Sequence, residues 1–215
     1  MLHNTFCRRL AALVLTLAVA VSAVLPVFAV YPMPIQTATE TEAVYLFNAD
    51  TGKTLLTQNA DQPRYVASLT KMMTALLLLE SGKDLNGEVT VPTDLTQEFK
   101  DIQNANGTTM GLRIGETVRR IDLLNALLIT SANDAASVIA WDVGGSLNAF
   151  IQQMNARAAE LGCTSATFTC AHGLYDYGNV ASAEDMAKIA DLAIDKFELL
   201  QVFDALHPGL LNLCN

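Results

Sequence analysis

Ser68 and Lys71 are the residues of this sequence best suited to covalent chemistry. They lie three positions apart, which is about one helical turn, so a helix would place the hydroxyl and the amine on one face. A serine hydroxyl is a poor nucleophile without a base, and a lysine can act as that base when burial lowers its pKa. Lys71 is the only charged residue between Arg64 and Glu80, in a largely apolar stretch. Although Ser-x-x-Lys spacing alone is common by chance, this setting predicts a nucleophilic serine activated by a buried lysine.

A second pair of polar side chains, Ser131 and Asn133, lies at a predicted break between two helices. A hydroxyl at such a break can relay a proton, and an amide can orient a lysine or a substrate carbonyl. The structural alternative is ordinary capping of the second helix by Ser131, Asn133 and Asp134. Only the presence of the Ser68 motif favours the catalytic interpretation.

Hydrophobic periodicity predicts the elements that would position these residues. Two β-prone runs, 43–47 and 54–58, flank a turn-rich loop and predict a β-hairpin. A short loop containing the motif His-Gly-Leu precedes the last predicted helix. From helical spacing of apolar residues and from Gly stops, helices are predicted over 68–80, 94–103, 117–130, 133–141, 147–161 and 184–193.

Composition and charge limit the possible functions of the chain. It has 215 residues, with 22 Asp and Glu against 13 Lys and Arg, and a formal net charge of -9. An acidic protein without a cluster of cations repels a phosphate backbone, so nucleic acid is not an expected partner. Hydrophobic residues make up 51% and charged residues 16%, which is ample material for a packed core.

The N-terminal residues 1–29 have the composition of a secretory signal. Two arginines precede an apolar run from Leu10 to Leu25, and no acidic residue is present. We predict cleavage after Ala29, followed by a linker over 30–42. A retained membrane anchor is the alternative, because the run approaches the ~18 residues that make a spanning helix plausible. In either case the rest of the chain is predicted to be exported.

Three cysteines would remain after cleavage: Cys163, Cys170 and Cys214. Cys163 and Cys170 could form a disulfide, but so small a number of cysteines favours small buried side chains. His172 and His207 have no ligand-like spacing with cysteine or carboxylate residues. Neither a metal ion nor another cofactor is therefore predicted.

Several short motifs occur along the chain in a fixed order. They are ASLTKMMTA at 67–75, GE at 115–116, DLL at 122–124, SANDAA at 131–136, ELG at 160–162 and HGL at 172–174. From about residue 42 to residue 193, this combination resembles the D-alanyl-D-alanine carboxypeptidases, the low-molecular-mass penicillin-binding proteins. Each motif is short, but the combination is highly specific.

The resemblance implies an α+β, penicilloyl-serine-transferase fold, in which a helical subdomain lies beside an antiparallel sheet. By position, Ser68 would be the acylated nucleophile and Lys71 the general base. Ser131 would relay a proton, and Asn133 would bind substrate. The implied reaction is the release of D-alanine from a peptidoglycan stem peptide that ends in D-Ala-D-Ala. β-Lactam antibiotics would be covalent inhibitors, and the enzyme would act in the cell wall or on the periplasmic side of the membrane.

The family's third motif, Lys-Thr-Gly or Lys-Ser-Gly, does not occur in this sequence. We therefore expect a C-terminally truncated member, with a partial catalytic domain over 43–206, an incomplete sheet and an atypical tail over 207–215. Loss of one oxyanion donor alone costs about 10²- to 10³-fold in turnover. We accordingly expect D-alanine release at least ~10³-fold below that of a version carrying the third motif.

Two other functions remain open from the sequence. A non-catalytic, cell-wall-binding remnant would be consistent with the missing third motif. A class A β-lactamase shares Ser-x-x-Lys, but it usually has Asp where this chain has Ala132. It also uses a Glu-x-x-Leu-Asn segment for deacylation, which this sequence lacks. The carboxypeptidase is therefore the favoured interpretation, with no prediction of oligomeric state.

Overall fold

The computed structural model describes residues 41–174, 176–194 and 196. In this part of the chain, six helices and six short strands make up the regular structure. The helices are α1 (Thr70–Glu80), α2 (Thr96–Asn104), α3 (Arg120–Ile129), α4 (Asn133–Gly144), α5 (Leu147–Glu160) and α6 (Ala183–Ile194). The strands are β1 (Val44–Asn48), β2 (Lys53–Gln58), β3 (Arg64–Tyr65), β4 (Glu88–Thr90), β5 (Thr117–Arg119) and β6 (Val180–Ala181). Short 3-10 turns, Ala67–Leu69 and Thr93–Leu95, lie directly before α1 and α2.

Some of the predictions concern residues outside this part of the chain. They are the signal peptide over 1–29, nearly all of the linker over 30–42, the cysteine at 214 and the tail over 207–215. Within the described ranges, no helix is long and apolar enough to cross a bilayer.

The strands form three separate antiparallel pairs, β1–β2, β3–β6 and β4–β5. The first pair is the predicted hairpin, with an irregular register between Leu46 and Phe47. The third pair corrects a prediction, because Thr117–Arg119 is a strand and the helix begins only at Arg120. Val118 is the one apolar residue of this strand, and it fits both strand alternation and helical spacing. The pattern therefore does not distinguish a strand from the first turn of a helix.

The apolar helix predicted after Ser68 is the centre of the core. This helix, α1, contacts α3, α4, α5 and α6, and α6 also contacts the hairpin strand β1. Met73, Leu76 and Leu78 of α1 are completely buried. Because α1 is packed from several directions, the side chains that it carries are held in fixed positions.

Two ion pairs join helices at the edge of the core. Arg157 of α5 donates through Nε and Nη2 to the carboxylate of Glu80 at the end of α1, at 3.0 and 2.7 Å. Arg120 of α3 donates in the same two-pronged way to Asp142 of α4, at 2.7 and 3.0 Å. Two parallel hydrogen bonds fix the relative orientation of the groups more firmly than one does. These contacts hold α5 against α1 and α4 against α3.

Phe150 provides a test of this packing, because its side chain is fully buried on α5. We expect Phe150→Ala to lower the free energy of unfolding by about 3–5 kcal/mol, since truncation removes buried area and leaves a cavity. Leu55→Ala on β2 is the control, because that side chain is 56% exposed. Its effect is expected to stay within about 0.5 kcal/mol. Urea unfolding compares the two variants, and equal destabilisation would contradict the assigned core.

Candidate active site

Ser68 lies on an exposed 3-10 turn directly before the central helix. The sequence places it at the first position of that helix, but the structure begins α1 two residues later, at Thr70. Ser68 and Leu69 belong instead to the 3-10 turn, which begins at Ala67 with a φ of 46°, outside the helical region. A non-glycine residue adopts this left-handed conformation at a cost of about 1–3 kcal/mol. Such strain persists only where surrounding structure holds it, and here it precedes the candidate nucleophile.

Lys71 is buried in the first turn of α1, with only 3% of its surface exposed. Its Nζ lies 2.6 Å from the carbonyl oxygen of His172, 2.8 Å from Oδ1 of Asn133 and 3.3 Å from Oγ of Ser68. Burial lowers the pKa of Lys71 to about 8, although a negative charge at Cys170 opposes this effect. A neutral amine is therefore accessible close to neutral pH. Its two hydrogens can donate to Asn133 and His172, which leaves the lone pair to accept the proton of Ser68.

The amide of Asn133 is held in one orientation by its neighbours. Its Nδ2 donates to the carbonyl oxygen of Thr108 at 2.9 Å, and its backbone N–H donates to the same oxygen at 2.8 Å. Because Nδ2 is used in this way, Oδ1 is the atom that faces Lys71. The next residue, Asp134, accepts three N–H groups from the same loop, those of Met110, Gly111 and Leu112. The loop that orients the amide is thus tied to the start of α4.

Ser131 connects the two predicted motifs. Its Oγ lies 3.0 Å from Oγ of Ser68. With a φ of 58°, Ser131 is also held in left-handed backbone, between α3 and α4. No side chain caps the start of α4 at Ala132, so the capping interpretation is wrong for Ser131 and Asn133. All four predicted site residues instead form one hydrogen-bonded cluster.

A loop to which the sequence assigns no function closes the site around Lys71. Three successive carbonyl oxygens of this loop accept hydrogen bonds from side chains near Ser68: Ala171 from Thr74 at 2.6 Å, His172 from Lys71 at 2.6 Å and Gly173 from Tyr65 at 3.0 Å. Gly173 has a φ of 77°, and a Cβ atom there would collide with the carbonyl of Ala67. Glycine therefore permits the close approach of the loop. The HGL motif at 172–174 is the one sequence signal for it.

The ring of His172 is held by Glu98 of α2 and by its own backbone. Its Nε2 lies 3.0 Å from Oε1 of Glu98, and its Nδ1 accepts the N–H of Leu174 at 3.0 Å. Ser137 of α4 also donates to Glu98, at 3.0 Å. A ring nitrogen that accepts a hydrogen bond carries no proton, so the neutral ring has its proton on Nε2. These contacts fix the peptide of His172 and, with it, the carbonyl oxygen that faces Lys71.

Ser68, Lys71 and Ser131 line a cavity of about 600 Å³. The rest of the lining is mainly apolar and includes Leu69, Met72, Leu127 and Leu128. Apolar walls with a few convergent polar groups are typical of a site for a small ligand.

Residues 31–206 of the chain match the family model of the D-alanyl-D-alanine carboxypeptidases, peptidase family S11. The chain belongs to this family. The D-alanyl-D-alanine carboxypeptidase DacF of Bacillus subtilis (strain 168) is 31% identical over 81% of this chain and 44% of its own length. The D-alanyl-D-alanine carboxypeptidase DacC of Escherichia coli (strain K12) is 34% identical over 72% of this chain and 40% of its own. The chain therefore spans less than half the length of these two relatives.

Solved structures of a DD-transpeptidase and of a penicillin-binding protein are similar to this family member. The Streptomyces K15 DD-transpeptidase aligns with a TM-score of 0.68 and 31% identity, over 74% of this chain and 63% of that one. Penicillin-binding protein 6B from Escherichia coli aligns with a TM-score of 0.66 and 28% identity, over 71% and 50%. The α+β, penicilloyl-serine-transferase fold that the resemblance implies is thereby confirmed.

The cysteines in the described part of this carboxypeptidase-family chain, Cys163 and Cys170, are both free thiols, so the disulfide alternative is wrong. Cys163 is buried, as predicted, and burial raises its pKa to about 11. Cys170 differs from the prediction, because it is half-buried and accepts the N–H of Gly173 at 3.2 Å. Across these described residues, no group of three His, Cys, Asp or Glu side chains is placed to hold a metal ion.

The pKa of Lys71 is the measurable property of this site. We expect its amine to titrate near pH 8, because burial removes hydration from the ammonium. Lys188 on α6 is the internal control, since interactions with Glu184 outweigh its slight burial and raise its pKa. ¹³C NMR of the lysine Cε resonances would follow both titrations, and Lys71→Arg would identify the Lys71 signal by removing it. Titration of Lys71 together with Lys188 would contradict the buried environment.

Proposed function

We propose that the chain is a serine-type D-Ala-D-Ala carboxypeptidase, which trims peptidoglycan stem peptides through an acyl-enzyme on Ser68. One observation carries the proposal: Oγ of Ser68 lies 3.3 Å from Nζ of Lys71 and 3.0 Å from Oγ of Ser131. A nucleophile, a base and a second hydroxyl are thus within hydrogen-bonding distance before any substrate binds. The names of the relatives DacF and DacC, both D-alanyl-D-alanine carboxypeptidases, favour the same reaction.

In the acylation step, neutral Lys71 removes the proton of Ser68 while Oγ attacks the carbonyl carbon of the penultimate D-alanine. A bond forms between Oγ and that carbon, and the carbonyl oxygen becomes an oxyanion. Lys71 becomes an ammonium, whose three hydrogens match the three acceptors around it, on Ser68, Asn133 and His172. The same site can therefore hold the neutral and the charged lysine without rearrangement.

Collapse of the intermediate breaks the peptide bond, and the terminal D-alanine leaves as an amine that must receive a proton. We assign the relay of this proton from Lys71 to Ser131. Its hydroxyl supports this role because it lies 3.0 Å from Oγ of Ser68, the atom that Nζ of Lys71 also contacts. In deacylation, a water molecule gives a proton to the neutral lysine and attacks the ester carbon. The ester bond then breaks, and Ser68 recovers its proton as the shortened peptide departs.

The partners and location follow from the proposed reaction. The substrate is a stem peptide that ends in D-Ala-D-Ala, and a β-lactam would acylate Ser68 as a covalent inhibitor. Asn133 can contribute to substrate binding, because Nδ2 has a second hydrogen beyond the one donated to Thr108. The chain would act after export, in the cell wall or on the periplasmic side of the membrane. Its net charge of -9 disfavours nucleic acid as a partner.

Ser68→Ala tests the nucleophile. We expect the unaltered chain to gain the mass of one β-lactam and Ser68→Ala to gain none, because the covalent bond is made through Oγ. Ser131→Ala is the matched control: it removes a hydroxyl of the cluster but keeps nucleophile and base, so it should still be labelled, more slowly. Intact-mass spectrometry gives the result, and a labelled Ser68→Ala protein would refute the assignment. A folded, unaltered chain that neither binds β-lactam covalently nor releases D-alanine would favour the cell-wall-binding alternative.

Lys71→Arg tests the base. We expect this variant to keep its fold but lose acylation, because a guanidinium does not deprotonate in a protein. In the unaltered chain the acylation rate should rise with pH and level off above about 8, since only the neutral amine accepts a proton. Time-resolved mass spectrometry measures the rate, and circular dichroism checks the fold of the variant. A rate that does not change with pH, or acylation of a folded Lys71→Arg protein, would exclude this role.

A further inference from the structure

A second cavity, of about 400 Å³, lies apart from the Ser68 cavity and shares no lining residue with it. Cys170 and His172 contribute to its wall. None of its described lining residues is a lysine or an arginine, whereas three of them are carboxylates: Glu98, Asp101 and Asp176. A thiol beside an imidazole is a combination that supports nucleophilic chemistry at sulfur.

The sulfur of Cys170 has a polar environment. The N–H of Gly173 donates to Sγ at 3.2 Å, and the thiol donates to the carbonyl oxygen of Leu174 at 4.0 Å. Burial disfavours the thiolate, but the contacts with His172 and Gly173 outweigh it and lower the pKa of Cys170. Negative charge on this sulfur also acts to raise the pKa of Lys71 on α1 and of Tyr65 on β3. Cys163 provides the contrast within one chain, because burial alone dominates there and raises its pKa.

His172 can accept the proton that Cys170 gives up. Burial disfavours the charged ring, but hydrogen bonds with Cys170 and Glu98 outweigh it and raise the pKa of His172. The hydrogen bond from the N–H of Leu174 to Nδ1 favours the neutral ring instead, because an N–H can donate only to an unprotonated nitrogen. The Leu174 contact describes the neutral form of the ring, whose Nδ1 can receive a proton. Proton transfer from Cys170 to Nδ1 replaces the Leu174 contact with an ion pair to the thiolate.

The charge around the cavity determines which reagents enter it. The hydrogen bond with His172 is the main cause that lowers the pKa of Glu98. A hydrogen bond from the N–H of Gly178 likewise lowers the pKa of Asp176. Both carboxylates are thus ionised at neutral pH, in a chain whose net charge is -9. A cavity lined by one sign of charge attracts cations and repels anions.

We propose that Cys170 is a modification site for small cationic disulfides, which enter the acidic cavity and exchange with the thiol. In this exchange Sγ attacks one sulfur of the reagent, the S–S bond of the reagent breaks, and a mixed disulfide forms. The proton of Cys170 passes to His172, and the other half of the reagent leaves as a thiolate. No further oxidant is needed, because one disulfide replaces another. The site goes beyond the proposed carboxypeptidase reaction, which uses neither this sulfur nor the His172 ring.

Two small disulfides of opposite charge test the proposal on the unaltered 215-residue chain. The probes are cystamine, a dication, and dithiodipropionate, a dianion of similar length. Peptide mass spectrometry measures the rate of mixed-disulfide formation at Cys170 and Cys163 near pH 7, normalised for each reagent to its rate with N-acetylcysteine. We expect cystamine to modify Cys170 at least ~10-fold faster than the dianion does on this scale. We also expect Cys163 to react at least ~10-fold more slowly than Cys170.

A smaller charge preference, or Cys163 reacting as fast as Cys170, would overturn the proposal. Neither comparison needs a variant, and neither depends on acylation of Ser68, so the carboxypeptidase proposal can fail without affecting the result.

Asp101→Asn then removes one charge from the cavity and should reduce the cystamine preference while leaving alkylation by neutral iodoacetamide unchanged. His172→Gln keeps the backbone carbonyl but removes the proton acceptor, and should slow both disulfides ~10-fold. Unchanged rates in a folded His172→Gln protein would contradict the activation of the thiol.

Discussion

The arrangement of this molecule depends on the burial of one amine, that of Lys71. A buried ammonium without partners carries a desolvation penalty of several kcal/mol, so the fold must bring acceptors to it. The three acceptors come from separate parts of the chain: Ser68 before α1, Asn133 at the start of α4 and the carbonyl of His172 between α5 and α6. Each acceptor is fixed in turn by other contacts, as Asn133 is by Thr108. The same burial lowers the pKa of Lys71 to about 8, so the constraint that organises the fold also sets the chemistry.

Strained backbone presents the two hydroxyl groups beside this amine. Ala67, directly before Ser68, and Ser131 both have positive φ. Each such residue costs about 1–3 kcal/mol and is stable only when its surroundings leave no alternative. Those surroundings are the packed helices α1, α3 and α4, together with Gly173, whose missing side chain allows the loop to touch Ala67. The apolar core therefore does more than stabilise the chain, because it holds conformations that place the hydroxyls 3.0 Å apart.

The sequence predicts which side chains form the site better than it predicts which backbone groups contact them. Lys71 is recognisable because a charge is unexpected in an apolar helix, and the short motifs identify the family that the comparisons confirm. The carbonyl oxygens of Thr108 and His172 cannot be predicted in this way, because every residue has one and only the fold decides which oxygen faces the amine. Strand β5 is missed for a related reason: its one inward residue, Val118, fits two periodicities. The sequence predicts a small buried side chain at Cys170, since composition alone does not reveal that His172 lines the same cavity.

The loop over 170–174 couples the two cavities electrostatically, although the cavities share no lining residue. Its carbonyl oxygens bind side chains around Ser68, while the side chains of Cys170 and His172 line the acidic cavity. Negative charge on Cys170 raises the pKa of Lys71 and so opposes burial, which lowers it. Charges inside a protein are screened far less than charges in water. A thiolate at Cys170 thus shifts Lys71 toward the ammonium, whereas a neutral sulfur leaves burial to favour the free amine, the form that can accept a proton from Ser68.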